Sequence, residues 1–400
     1  MSKQNIAIIG GGPASLMLAC SLDTRKYNVA IYEKNAALGR KFLVAGDGGF
    51  NLTHSEDIEQ FVNRYHPKQF IEPFLNHFSN TDFRHWLKSI GIETYIGTSK
   101  RIFPVKGVKP IEVLNIIISV LKNNNISIQY NYEWKGWNNK QLIFQTTNNQ
   151  IVNITADIVV FAMGGASWKV TGSNGEWTSY FEEKGIQINS FYPSNCTYQI
   201  LWDADFIKLI SGQALKNCEF FCGNMHKKGE AILTDFGIEG SGVYALSKEI
   251  REQLIHNQKA ELFIDFKPEL SIEEIQNRLE NKGKLSIKDI LEKKINLSDT
   301  QIQLLKFYTT KEEYNLPKHL SELIKKFSLI LKAFAPIDEA ISTVGGIDLK
   351  EVNENLELKK LPNHYCLGEM LDWDAPTGGY LLQACFSMGK IVADKLNQKL

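Results

Sequence analysis

Hydrophobic and polar positions at the start of the chain predict a strand, a helix and a second strand in immediate succession. Residues 5–9 form a β-branched apolar run, which is typical of a buried parallel strand, and the run ends at Gly10–Gly12. Apolar residues then recur at helical spacing as far as Leu22, and a second apolar run over residues 28–33 ends at Glu33. The pattern predicts a βαβ unit whose helix begins at a glycine-rich turn.

The remaining periodicity divides the chain into stretches of different character. Helical spacing predicts helices over 81–91, 110–124 and 320–331, and Ser271 with Glu274 forms a capping box for a further helix. Strand-like runs at 126–132, 142–147 and 151–154 predict a β-meander, and the run at 157–162 predicts another buried strand.

These stretches predict an α/β fold with a discontinuous first domain. We expect a Rossmann-type nucleotide-binding domain of residues 1–190 and 345–400. Short β-rich segments over 191–268 and 332–344 predict a second domain, which we expect to cover the substrate side. We interpret the helical stretch 269–331 as an insertion.

Length and charge limit the classes of protein to which this chain can belong. A chain of 400 residues is too long for one ordinary core. Its 45 basic residues balance its 45 acidic ones, so nothing favours bulk binding of nucleic acid. The apolar runs are too short to cross a bilayer and lack a secretory pattern, which predicts a cytoplasmic protein without a membrane partner.

The cysteines do not form a metal-binding pattern. The closest pair, Cys218 and Cys222, has no histidine partner at zinc-finger spacing. We expect buried free thiols and no metal site.

The first glycine turn has the chemistry of a dinucleotide site. Gly10 permits the tight turn, and Gly12 lets a pyrophosphate approach the start of the helix beside Pro13 and Ala14. Ser15 replaces the usual third glycine with another small residue. Glu33 stands where a carboxylate can accept hydrogen bonds from ribose hydroxyls. The alternative is a glycine-rich turn that binds no ligand.

Residues after Glu33 favour FAD over a nicotinamide cofactor. Lys34, Gly39, Arg40 and Lys41 add cationic donors and close backbone approach. A second glycine loop then contains Gly46 and leads to Asn51, and only a cofactor extending beyond its pyrophosphate would need such a loop.

Four blocks then resemble a known family. Residues 10–33, 39–54, 161–175 and 368–384 are similar to the BaiN-like, aminoacetone-oxidase-type FAD-binding flavoproteins. The resemblance extends from about residue 5 to about residue 395 and implies a flavoprotein fold of the two-dinucleotide-binding-domain type. Where the main branch of that family reads Gly-Arg-Cys-Asn, this chain has Gly-Gly-Phe-Asn at 48–51, so the roles of that arginine and cysteine do not carry over.

The later blocks supply further candidate contacts to FAD. Gly164 and Gly165 end a buried strand where backbone must approach a ligand or a neighbouring loop. The resemblance implies that an acid after the short strand 364–367 accepts hydrogen bonds from the ribityl chain. The residues concerned are Gly368, Glu369 as first choice, Asp372 as second choice, and Gly378, Gly379 and Tyr380, which open an apolar helix whose positive end would lie beside the flavin.

The resulting prediction is a non-covalent FAD enzyme that transfers two electrons or a hydride through flavin N5. Its substrate would be an unknown small organic molecule, with NAD(P)H as a candidate transient donor. No catalytic acid or base is assigned, and His54, Asp47 and Tyr380 are more often structural or cofactor contacts. The alternatives are an FAD-dependent enzyme that modifies nucleic acid and a flavin-binding sensor without turnover.

Overall fold

A computed structural model describes residues 2–44, 50–281 and 283–399, and the chain divides into two compact units. The first unit contains Met1–Tyr192 and Ser342–Leu400, and the second contains Pro193–Ile341. The stretch 269–331 belongs to the same unit as the β-rich segment that precedes it.

The strands, in chain order, have these bounds: β1 (Gln4–Ile9), β2 (Tyr27–Glu33), β3 (Thr53–His54), β4 (Thr94–Ile96), β5 (Arg101–Pro104), β6 (Ser127–Tyr130), β7 (Tyr132–Asn138), β8 (Gln141–Thr146), β9 (Ile151–Ile154), β10 (Ile158–Phe161), β11 (Ile188–Ser194), β12 (Tyr198–Gln199), β13 (Ala214–Cys222), β14 (Met225–Leu233), β15 (Gly237–Glu239), β16 (Ala260–Asp265), β17 (Phe327–Leu331), β18 (Ser342–Ile347) and β19 (His364–Cys366).

The α-helices have these bounds: α1 (Pro13–Ser21), α2 (Arg40–Val44), α3 (Ile58–Phe61), α4 (Lys68–His77), α5 (Asn80–Ser89), α6 (Pro110–Asn123), α7 (Thr178–Glu182), α8 (Ala204–Ile210), α9 (Ser241–Tyr244), α10 (Ser247–Asn257), α11 (Ile272–Glu280), α12 (Ile287–Lys293), α13 (Asp299–Phe307), α14 (Lys311–Tyr314), α15 (Pro317–Lys325) and α16 (Tyr380–Gln398).

A parallel sheet of order β19-β10-β1-β2-β6 is the centre of the first unit. β1 pairs in parallel with both β2 and β10, and β10 pairs in parallel with β19. Residues 6–9 are buried, as expected for a strand covered on both faces. The predicted α/β class and the β–turn–α–β start are therefore confirmed.

The predicted meander is wrong in its first strand. Residues 127–130 form β6, which pairs in parallel with β2 as part of the main sheet. Asn131 then adopts a left-handed backbone with φ +63°, and the chain turns into β7. The antiparallel meander consists of β7, β8 and β9.

In the second unit, antiparallel strands and short helices share one hydrophobic core. The sheet order is β12-β15-β14-β13-β16-β17. Helices α11, α12, α13 and α15 contribute buried residues to the same core as the sheet, and the partly buried Tyr314 of α14 packs against it. The predicted helix over 320–331 is wrong in its second half, because residues 327–331 form β17, which pairs with β16.

Helix α16 packs along α1 and brings the end of the chain against its beginning. A Cβ at Gly389 would lie 2.3 Å from the backbone oxygen of Ala14, so the two helices touch through bare backbone. Within the described ranges, no helix combines the length and the hydrophobicity that crossing a bilayer requires.

Candidate functional site

A cleft lies in the first unit at the carboxyl ends of the parallel strands. The segments that follow β1, β2, β10 and β19 all contribute to its wall, which is where open α/β sheets bind ligands. The lining residues are 9–14, 32–35, 37, 39–42, 132–135, 162–164, 171–174, 176, 177, 180, 367–369 and 385.

The glycine turn after β1 has the shape that a pyrophosphate site needs. Gly10 has φ +99°, and a Cβ there would lie 2.5 Å from the backbone oxygen of Ala162. Gly12 precedes α1 without a side-chain cap, so the first N–H groups of the helix stay open to a ligand. A Cβ at Gly12 would meet nothing closer than 3.9 Å, which leaves space above this residue. The predicted candidates Pro13 and Ala14 also line the cleft.

Glu33 lines the cleft and also shapes the turn. Its Oε2 accepts a hydrogen bond of 2.8 Å from the backbone N–H of Gly11. Its Oε1 accepts bonds from the backbone and side-chain nitrogens of Asn35, at 2.9 and 2.7 Å. A carboxylate has about four acceptor sites, so Glu33 retains capacity for one further donor such as a ribose hydroxyl.

The predicted cationic residues all line the cleft. Lys34 donates to Asn174 at 3.2 Å, and burial lowers the pKa of Lys34 from its usual value. Arg40 donates to Asn35 at 2.6 Å. Gly39, at φ +65°, starts the short helix that carries Arg40 and Lys41.

Lys41 and Glu369 form an ion pair deeper in the cleft. Their Nζ and Oε2 atoms are 3.2 Å apart, and both side chains are largely buried. Lys41 also donates to the hydroxyl of Ser167 at 3.1 Å. Gly368 precedes Glu369 with φ +71° and lies under the side chains of Cys385 and Ala14.

Gly164 and Gly165 differ in their surroundings. Gly164 lines the cleft, and its carbonyl accepts from the indole nitrogen of Trp177 at 3.1 Å. Gly165 packs against Thr343, whose hydroxyl oxygen would lie 2.1 Å from a Cβ at that position. Gly165 is therefore required for packing inside the unit.

One buried donor in the cleft wall has no partner. The indole N–H of Trp134 makes no hydrogen bond to any described residue, although the side chain is buried. A buried polar group without a partner is destabilising unless a ligand or water satisfies it. Trp134 stands among aromatic residues that also line the cleft: Tyr32, Tyr132, Trp177 and Tyr180. A planar base with acceptor nitrogens fits this end, so the residues present are compatible with the adenine of FAD.

Several predicted contacts lie outside the cleft wall. Ser15 is fully buried, and its hydroxyl has no partner among the described residues. Asp372 is occupied inside the unit, because its oxygens accept from the backbone of Gly345 at 2.9 Å and from Asn189 at 2.7 Å. Gly46 and Asp47 lie outside the described residues.

Asn51, Gly378 and Gly379 meet at the start of α16. A Cβ at Gly379 would lie 2.5 Å from the Cα of Thr53 and 2.8 Å from Nδ2 of Asn51. Both glycines have positive φ, at +114° and +97°. The structure thus brings these three residues together, although none of them lines the cleft.

Tyr380 belongs to a hydrogen-bonded network beside this turn. Its hydroxyl donates to Oε1 of Glu56 at 2.8 Å, and Arg64 binds both oxygens of the same carboxylate. Burial, followed by the Glu56 charge, raises the pKa of Tyr380 above its usual value. Although burial raises the pKa of Glu56, the hydrogen bonds from Arg64 and Tyr380 outweigh it and lower that pKa.

His54 stacks on Tyr380 and is no obvious acid at neutral pH. The ring centroids are 5.3 Å apart, and Nδ1 of His54 accepts from the backbone N–H of Glu56 at 3.1 Å. Burial is the main cause that lowers the pKa of His54. The lowered pKa favours the neutral ring.

Sequence reasoning missed several residues of the cleft wall. Asn35 holds both Glu33 and Arg40, and Asn174 accepts from Lys34. Asn35 could have been identified from its position, because it stands two residues after the acid that ends β2. Trp134 had no such signal, because buried tryptophans are common in cores.

Comparisons with known proteins extend over nearly the whole chain. The family described as "HI0933-like protein Rossmann domain" matches residues 4–395. A 3-dehydro-bile acid delta(4,6)-reductase from Clostridium scindens is 22% identical over 96% of this chain and 97% of the relative. A ribosomal RNA dihydrouridine synthase from Haemophilus influenzae is 23% identical over 96% of each chain.

A solved structure shares the fold. The 3-ketosteroid delta1-dehydrogenase from Sterolibacterium denitrificans superposes with a TM-score of 0.51 over 100% of both chains, at 11% identity. The predicted Rossmann-type fold is confirmed.

Proposed function

Because the chain belongs to the HI0933-like family of FAD-dependent oxidoreductases, we propose that it holds FAD non-covalently in the cleft and transfers two electrons between this cofactor and an organic substrate. The match over residues 4–395 confirms the predicted resemblance. The cleft is the observation that supports the proposal. It contains the uncapped start of α1, the acid Glu33 after β2 and the partly buried Lys41–Glu369 pair.

When bound, FAD supplies a ring that accepts or releases a hydride at N5. The backbone N–H of Gly12 and the N–H groups at the start of α1 would hold its pyrophosphate, because the N–H groups of Gly10 and Gly11 already donate to Tyr32 and Glu33. Glu33 would accept from the adenosine ribose, and Trp134 would donate to adenine. Lys41 and Glu369 would bind hydroxyls of the ribityl chain, since one is a donor and the other an acceptor.

The turn before α16 would form the second contact with the cofactor. Asn51, Gly378 and Gly379 meet there, and Tyr380 begins a helix of 19 residues. The positive end of a helix stabilises negative charge nearby. Tyr380 would act by fixing this turn, because its hydroxyl is already bonded to Glu56.

The substrate class we propose is a carbon–carbon double bond conjugated to a carbonyl group. Two relatives support it, since a bile-acid delta(4,6)-reductase and a dihydrouridine synthase are both named for saturating such a bond. Reduction adds a hydride to the β-carbon and a proton to the α-carbon. NAD(P)H is the proposed source of the hydride, and we place this reaction in the cytoplasm.

RNA modification is the second candidate function. The Haemophilus influenzae relative named as a ribosomal RNA dihydrouridine synthase favours it, because the two chains match over 96% of each. The balanced charge of this chain argues for a small molecule instead, since RNA binding gains most of its affinity from neutralised phosphates.

The test is an anaerobic titration of the purified protein. The visible spectrum and the released cofactor establish whether FAD is bound. NADH and NADPH are then added, and the rate at which the 450-nm band bleaches is followed, with about 1 s⁻¹ or faster expected for a physiological donor. The reduced protein is mixed separately with a cyclic enone, a 3-oxo-steroid dienone and ribosomal RNA, and reoxidation is recorded.

Each result separates the candidates. Reoxidation by the enones but not by RNA supports the proposed function, and the reverse supports RNA modification. Reduction by no donor favours a flavin sensor. A colourless protein that cannot be reconstituted with FAD contradicts the proposal.

A further inference from the structure

Arg101 lies against bare backbone at the turn before α16. Its Nε would be 3.4 Å from a Cβ at Gly378, and Gly378 has φ +114°, a conformation that favours glycine. The guanidinium of Arg101 therefore lies close beside the backbone of this turn. Arg101 starts β5 and pairs in register with His54 on β3.

No described neighbour compensates the charge of Arg101. Arg64 is bound to both oxygens of Glu56, so that pair is balanced. His54 is neutral near pH 7, because burial lowers its pKa. Within the part of the chain that the structure describes, the guanidinium of Arg101 has no carboxylate or hydrogen-bond partner.

The turn lies close to the end of the cleft. Cys385, on α16, lines the cleft beside Gly368 and Glu369. At 1.5 Å per residue, the start of α16 is about 8 Å further along the helix axis. A cofactor whose pyrophosphate lies at Gly10–Gly12 and which passes Glu369 would reach this turn with its ring.

We propose that Arg101 supplies the positive charge beside the pyrimidine end of the flavin and so sets how readily the ring accepts electrons. The inference rests on the proposed function. Uptake of two electrons and one proton at N5 leaves one negative charge on the N1–C2=O edge of the ring. A fixed cation at that edge stabilises the reduced form more than the oxidised form.

The experiment measures the reduction midpoint of the holoenzyme and of three variants. Electrons from xanthine and xanthine oxidase are shared between bound FAD and a reference dye under anaerobic conditions. Arg101→Gln is expected to shift the equilibrium towards oxidised flavin at least tenfold, which corresponds to about 30 mV for two electrons. Arg101→Lys should recover most of this shift. Lys100→Gln removes the adjacent, exposed cation and should change nothing.

The results distinguish failure of this inference from failure of the proposed function. If the wild-type protein binds no FAD, the proposed function and the inference fail together. If FAD is bound and Arg101→Gln has the same midpoint as Lys100→Gln, only the inference is overturned. Loss of FAD from Arg101→Gln would also overturn it, because Arg101 would then hold the cofactor in place instead of tuning it.

Discussion

Gly10 and Gly12 are two positions apart, yet a methyl group would affect the stability of the apoprotein at Gly10 and the affinity for FAD at Gly12. At Gly12 it would enter open space with φ −83°, which alanine adopts readily. We expect Gly12→Ala to leave the stability of the apoprotein within about 0.5 kcal/mol of the wild type. The affinity for FAD should fall at least tenfold, because the methyl occupies the pyrophosphate position. Fluorescence titration with FAD measures this.

Gly10→Ala is the matched control. Its methyl would collide with the backbone at Ala162 and force a left-handed alanine, which costs about 1–2 kcal/mol before any clash. This variant should lower the unfolding free energy of the apoprotein. Equal destabilisation of the apoprotein by Gly12→Ala would mean that a methyl group does not fit above Gly12.

The half-buried His54 gives a pH dependence of stability. The folded-state pKa of His54 lies below its unfolded value of about 6.5, so the unfolded chain takes up the proton first. Its contribution is present above pH 6.5 and is lost as the pH falls through the folded-state pKa. Urea unfolding between pH 7.5 and 5 should show the loss.

His54→Gln should make the pH profile flatter, whereas the exposed His256→Gln should leave it unchanged. Equal slopes in the wild type and in His54→Gln would assign the acid sensitivity to other groups.

Single residues were predictable where local chemistry demanded them. Gly10, Gly12 and Glu33 lie at the cleft because a tight turn, a close approach and an acid after β2 follow from a short stretch of sequence. Arg101 gave no such signal, because its position depends on β3 and α16, which are far away in sequence.

At the scale of elements, α13 is tied to the sheet of its own unit through its cap. Ser298 accepts from the backbone of Gln301, and the side chain of Gln301 accepts from the backbone of Ser298. The same amide donates to the sulfur of Cys218 on β13 at 3.4 Å. Ser298→Ala should lower the unfolding free energy by about 1 kcal/mol.

Ser298→Thr keeps a hydroxyl at the cap and serves as the control. Guanidinium unfolding of both variants measures the difference. Equal stabilities would mean that the cap contributes nothing beyond the packing of α13.

Element boundaries were harder to predict where apolar runs are short. Residues 327–331 suit a helix or a strand equally well, because four apolar residues and one serine do not define a period. Residues 327–331 become a strand because they pair with β16, more than sixty residues earlier in the sequence. The start of the chain was predictable because β1, the glycine turn and α1 specify each other locally.

At the scale of the whole molecule, every described residue that lines the cleft belongs to the first unit. A ligand stabilises the part of a protein that it contacts in the folded state. Saturating FAD should therefore slow hydrogen exchange of amides in 2–192 and 342–399 more than in 193–341. Mass-spectrometric exchange with and without FAD measures this, and equal protection of both units would contradict the prediction.

The packing of α1 on α16 also bears on how the chain emerges from a ribosome. The end of α1 is 359 residues before the start of α16, from 380 minus 21. At a synthesis rate of about 5–20 residues per second, α16 is made roughly 20–70 s after α1. Until then the side of α1 that packs against α16 remains uncovered. The nascent chain thus presents this side of α1 to chaperones for most of its synthesis.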